Sequence, residues 1–131
     1  MIEKEWKHEG YLCVVKMYEE GGHRCGYVGI PKEHPLYKKD YDDVDDFNVH
    51  GGLTYSNSDL LEVPSKDTWW FGYDCGHYGD KPDLSVMPKR HRKIREKYVD
   101  PDGVIRSLAY CITECENLAK QLKEKWDLLE S

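Results

Sequence analysis

The chain has 131 residues, of which 34% are charged and 39% hydrophobic, and a formal charge of −6. Ten tyrosines and four tryptophans are too aromatic a composition for a disordered chain, and the length fits one domain, 1–131, with a core of its own. The acidic balance argues against general nucleic-acid binding, and no apolar run approaches the roughly 20 residues a membrane-crossing helix needs.

Residues 1–9 are mostly charged around Trp6 and suggest no element; their charge predicts no secretory leader. Gly10–Tyr18 reads as a strand, Glu19-Glu20-Gly21-Gly22 as a turn and Arg24–Ile30 as a second strand, together an antiparallel hairpin ended by Pro31. Residues 31–47 form a long connection with an acidic cluster, Asp40, Asp42, Asp43, Asp45 and Asp46. Its Leu36, Tyr37, Tyr41, Val44 and Phe47 predict that it packs down on the domain. Val49–Tyr55 reads as a third strand, residues 56–66 as a polar link and Thr68–Asp74 as a fourth strand.

After Asp80 the chain turns irregular through Pro82 and Pro88. The basic run Lys89, Arg90, Arg92, Lys93, Arg95 and Lys97 suits one or two helical turns on a solvated surface. Asp100-Pro101 reads as a helix start. Ile105, Leu108, Ile112, Cys115, Ala119, Leu122, Trp126 and Leu129 then recur at spacings of three and four, the stripe of an amphipathic helix over 103–129. The expected fold is α+β: a mostly antiparallel sheet of four or more strands packed by one long C-terminal helix. A coiled-coil dimer is the sharper reading of that stripe, and the oligomeric state stays open.

Five cysteines, Cys13, Cys25, Cys75, Cys111 and Cys115, make an odd number with no Cys-x-x-Cys pair. Free thiols in a reducing cytoplasm are the simplest reading. Cys111 and Cys115, four apart on the predicted helix, read as buried small hydrophobes.

Chemistry concentrates in two segments: Asn48-Val49-His50-Gly51-Gly52-Leu53-Thr54-Tyr55-Ser56, and Trp69-Trp70-Phe71-Gly72-Tyr73-Asp74-Cys75-Gly76-His77-Tyr78-Gly79-Asp80. Each sets titratable groups among glycines at a strand end, where binding residues gather. His50, Gly51, Gly52, Thr54, Tyr55, Trp70, Tyr73, Asp74, His77 and Asp80 are the candidate ligand-binding residues. Glycine amides can face an anion, hydroxyls can donate, and Trp69, Trp70, Tyr73 and Tyr78 can stack on a base or sugar. No phosphate-loop or dinucleotide fingerprint is present. No cofactor is required by this reading. The alternative makes His50, Asp74, His77 and Asp80 the ligands of a divalent metal such as Zn or Mn, with an open position for water. A Cys75 nucleophile beside His50 or His77 is disfavoured by the negative charge of Asp74. Singly, each residue has an ordinary structural explanation, a capped turn or a hydrogen-bonded ring. Because both histidines lie beside glycines, outside any apolar periodicity, they are expected to serve a site and not the core.

Cys25-Gly26-Tyr27-Val28, Pro31 to Pro35, Tyr41-Asp42-Asp43-Val44, His50-Gly51-Gly52-Leu53-Thr54-Tyr55 and Trp70 to Asp80 follow one another in an order that resembles a family of small, uncharacterised phage and bacterial proteins. Tyr110, Glu114, Leu118, Ala119, Gln121 and Leu122 match its closing helix, so the resemblance covers most of 24–122. It makes the His-Gly-Gly and Asp-Cys-x-His-x-x-Asp segments hallmarks and implies a phage or prophage setting. The basic run 89–97 departs from the pattern. The expected function is a small binding protein with a pocket between the two segments, counteracting host defence by sequestering a nucleotide-type signal or blocking a host protein. Its partners are then a small-molecule ligand or a host protein, in the cytoplasm of the host cell. The alternative is a metal-dependent hydrolase of a small phosphate-bearing substrate.

Overall fold

The computed structural model describes residues 1–44 and 46–130. Asp45 of the acidic cluster lies outside the described residues. Five strands form one antiparallel sheet: β1 (Ile2–His8), β2 (Tyr11–Tyr18), β3 (His23–Pro31), β4 (Tyr55–Asn57) and β5 (Thr68–Asp74). Their order across the sheet is β1-β2-β3-β5-β4. Two helices follow, the short basic α1 (Lys89–Arg95) and the long α2 (Leu108–Glu130). The fold is α+β, as the sequence pattern predicts. No helix among the described residues is long and apolar enough to cross a membrane.

Strand alternation sorts side chains to two faces. Tyr11, Cys13 and Val15 of β2, Val28 and Ile30 of β3, and Phe71 and Tyr73 of β5 point to the inner face. There α2 covers them with Cys111, Cys115, Leu118, Ala119 and Leu122. Leu118 and Leu122 are fully buried, worth about 1.5–3 kcal/mol each by area. The connection 32–54 packs down as expected, with Leu36, Phe47 and Val49 buried in the same core. The outer face is covered in part by the link after β4, whose Leu60 and Val63 pack on Val14, Trp70, Tyr27 and Tyr55.

Three expectations are corrected. Residues 2–8 form an edge strand, paired from His8↔Tyr11 to Ile2↔Lys16. The third strand is displaced: residues 49–51 turn, with Gly51 and Gly52 at φ +69° and +79°, and pairing begins only at Tyr55. The helix begins at Leu108, because Val104 pairs with Asp80 in a parallel bridge and holds the preceding segment extended. Its start is capped by Ser107, whose Oγ accepts from the Tyr110 amide at 3.1 Å.

Candidate functional site

β5 ends at Asp74, and the following turn is tied by its own carboxylate. Asp74 Oδ1 accepts from the Gly76 amide at 2.9 Å, and Oδ2 accepts from the Thr54 hydroxyl at 3.1 Å. The chain then turns back, with the Asp80 amide donating to the His77 carbonyl at 2.9 Å. The His-Gly-Gly turn closes with Gly52 N–H on the Val49 carbonyl at 2.9 Å. Gly51 is required here twice over: its φ is left-handed, and a Cβ would collide with the His77 ring.

The two segments do converge. The His50 and His77 rings lie 6.1 Å apart, and His77 Nε2 stands 3.2 Å from Asp74 Oδ1, a close approach without hydrogen-bond geometry. Asp80 sits at the centre with its side chain only 2% exposed. Its Oδ2 accepts from His50 Nε2 at 2.8 Å and from the His77 amide at 3.0 Å, and its Oδ1 from Arg106 Nε at 2.8 Å. Burial alone would raise the Asp80 carboxyl, but the Arg106 and His50 bonds outweigh it and hold it below its ordinary value. The other ring nitrogen of His50 meets the Tyr110 hydroxyl at 2.8 Å, and the His50 amide donates to Glu114 Oε1 at 2.9 Å. With Nε2–H donated to Asp80, Nδ1 accepts from the Tyr110 O–H.

This network faces inward. Both nitrogens of His50 are engaged, and Asp80 is saturated with donors. Among the described residues, no group of three or more His, Cys, Asp or Glu side chains is placed to hold a metal ion. His50, Asp74, His77 and Asp80 therefore do not fit the expected Zn or Mn site. The expectation that His50 stands apart from the packed structure is corrected too. It ties the His-Gly-Gly turn to α2 through Tyr110 and Glu114, and to the β5 turn through Asp80. Arg106, Tyr110 and Glu114 complete the network; Arg106 gives no signal in the sequence, and Tyr110 and Glu114 enter there only through the resemblance of the closing helix.

Two predicted stacking residues are structural. Trp70 is fully buried on the outer face, with Nε1–H on Ser65 Oγ at 3.1 Å. The Tyr73 ring lies under α2, with its hydroxyl donating to the Cys111 carbonyl at 2.8 Å. Tyr78, by contrast, is wholly exposed. Cys75 is buried with its Sγ 3.7 Å from that of Cys111. That contact and burial push its thiol up, away from the thiolate a nucleophile needs.

What remains open is on the outer face. Thr54, Tyr55 and Asp74 join Tyr18, His23, Cys25 and Tyr27 in lining a cleft of about 370 Å³. The Tyr27 and Tyr55 rings meet edge to face at 5.2 Å, and Tyr18 meets His23 in the same way at 5.2 Å. Cys25 lies within the cleft with its thiol pushed up to about 11, chiefly by burial. The walls contributed by β2 and β3 were missed in the sequence, although His23, Cys25 and Tyr27 alternate as one strand face should.

No family model, curated protein or solved structure matches this chain.

Proposed function

We propose that this protein binds a small planar ligand of nucleobase type in the outer-face cleft and holds it without turnover. The cleft's composition is the observation that carries this reading. Three tyrosines and His23 supply ring surface, and Asp74, Thr54 and His23 supply polar groups at the walls. The volume lies within the range of about 300–1,000 Å³ typical of small-molecule sites. A base offers a π-face to tyrosine, worth about 1–3 kcal/mol in known stacked sites, and N–H donors to a carboxylate. Asp74 is held in place as that acceptor by Thr54 and the Gly76 amide. Burial pushes the Cys25 thiol in the cleft up to about 11, which supports binding over covalent chemistry. In the phage setting that the resemblance implies, such a protein would sequester a nucleotide-type signal of host defence.

Calorimetry against a panel of nucleosides and nucleotides tests the reading. The bound compound should be recovered intact after denaturation, and Asp74→Asn and Tyr18→Ala should each weaken binding, the latter at an unchanged melting temperature because Tyr18 is half exposed. A panel in which nothing binds would refute the reading and leave blockade of a host protein as the function to test.

A further inference from the structure

We propose that a larger cavity at the opposite end of the sheet is a second ligand site, one that takes an organic cation with an apolar body. This cavity, about 750 Å³, lies where β3 ends at Ile30 and Pro31, against the β1–β2 turn and the last turns of α2. The outer-face cleft is built instead on His23 and Cys25, at the start of β3, so the two sites are separate and this inference does not depend on the first.

Its floor is apolar and aromatic. Tyr11 and Trp126 stack with centroids 6.5 Å apart and planes at 11°, flanked by Leu12, Ile30 and Pro31. Tyr11 is 4% exposed, and its hydroxyl has no hydrogen-bond partner. A buried hydroxyl without a partner is costly, so its persistence in a cavity wall points to a guest that would complete it.

The charge of the walls selects the guest. Four carboxylates, Glu9, Asp67, Asp127 and Glu130, line the cavity against the ammonium groups of Lys7, Lys66 and Lys123. Lys123 is already paired with Asp127 at 2.6 Å. The end of α2 adds its own negative pole. Helices ordinarily place cations there, yet the last turn of α2 has no basic residue. Asp127 and Glu9 are also the charges that act most strongly on the Tyr11 hydroxyl, which burial and these two acids together push up to about 12. An ammonium entering beside Tyr11 would meet its free oxygen, two carboxylates and aromatic rings, while its hydrocarbon body covered Leu12 and Ile30.

The experiment uses the full chain and two probes of matched shape, phenethylammonium and 3-phenylpropionate, measured by calorimetry. The amine should bind saturably, with the carboxylate about tenfold weaker or worse. Glu9→Gln with Asp127→Asn should weaken the amine about tenfold at an unchanged melting temperature, since both side chains are exposed. Asp74→Asn, in the other cleft, should leave the amine unaffected. Tyr11→Phe should weaken it as well; should that variant fail to fold, the paired carboxylate variant still decides. The proposal is overturned by a carboxylate that binds as well as the amine, by an amine indifferent to the double substitution, or by no saturable amine binding below about 10 mM.

Discussion

Arg106 Nε lies 2.8 Å from Asp80 Oδ1, and the carboxylate it meets is almost wholly withdrawn from solvent. The guanidinium also sits over the Tyr110 ring, 5.2 Å from its centroid. Through this contact the residue two places before α2 is fastened to the turn that follows β5, and His50 brings the His-Gly-Gly turn to the same carboxylate. A buried carboxylate with three donors is stable only while the donors stay. Asp80→Ala would leave the His50 ring N–H, the His77 amide and Arg106 without their acceptor. We expect a loss of about 3–5 kcal/mol in urea titration. A loss below about 1 kcal/mol would show that the network is not what joins these segments.

His50→Ala should also destabilise, by about 1–3 kcal/mol, because Asp80 loses a donor and the Tyr110 hydroxyl its partner. His77→Ala should cost less, since the His77 ring stands beside Asp74 and the His50 ring with its Nε2 making no hydrogen bond, and its amide bond to Asp80 survives the change. Thermal melting of the two single variants separates these roles; equal melting temperatures would contradict the assignment.

Gly51→Ala places a side chain at a left-handed φ and against the His77 ring. The expected loss is at least about 1 kcal/mol. Gly10→Ala is the control, since its φ is +81° but a Cβ there meets nothing within 4 Å. Gly51→Ala should be the more damaging of the two in chemical denaturation.

Acid should weaken the fold in two stages. His34 is buried, its Nε2 donating to the Leu122 carbonyl at 2.9 Å and its Nδ1 accepting from the Leu36 amide at 3.0 Å. Burial lowers its pKa below the ordinary 6.5. The unfolded chain therefore takes up the proton first, so the contribution of His34 is complete above about pH 6.5 and declines as pH falls below it. Asp80 is likewise lowered, from 3.8, and its contribution is present above that value and lost as pH falls through the folded one. Melting temperature measured from pH 8 to pH 3 should show both declines, and His34→Gln should flatten the first. A wild-type profile level between pH 7 and pH 5 would count against the role of His34.

Leu122→Ala should cost about 2–5 kcal/mol, since Leu122 is wholly buried under the sheet. Leu129→Ala, on an exposed position of the same helix, should change stability by less than about 0.5 kcal/mol. Denaturant midpoints of the pair test the placement of the helix face.

The clearest sequence signals came from segments whose local chemistry and burial agree. β5 was legible to the residue, because an aromatic run with one face inward and one outward suits only a strand between two covered surfaces. β1 was not, because an edge strand has few neighbours, and Glu3, Lys4, Glu5 and Lys7 carry the polar pattern of a loop. The helix stripe lies slightly rotated from its sequence reading: Cys111 and Leu118 are fully buried, whereas Leu129 is exposed, and Ile105 lies ahead of the helix. Period alone fixes a face to within about one position, and packing chooses the rest. The nearness of the His-Gly-Gly and Asp74–Asp80 turns is legible from their glycines, but the bond between His50 and Asp80 is not. Their third partners, Tyr110 and Glu114, sit on a helix 60 and 64 residues from His50, and no local pattern joins positions that far apart.

The position of α2 in chain order has a consequence for biosynthesis. Every strand is made before the element that covers the inner face, so Val15, Val28, Ile30 and Phe71 stand uncovered until the residues through Leu122 have left the ribosome. Translation at about 5–20 residues per second leaves a wait of several seconds between β5 and that point. During it the nascent sheet presents a naked aromatic and aliphatic surface, the kind that chaperones hold. A stop codon placed after Gly76 and before residue 118 should therefore yield an aggregating or rapidly degraded product, even though all five strands and the outer-face cleft would already have been translated.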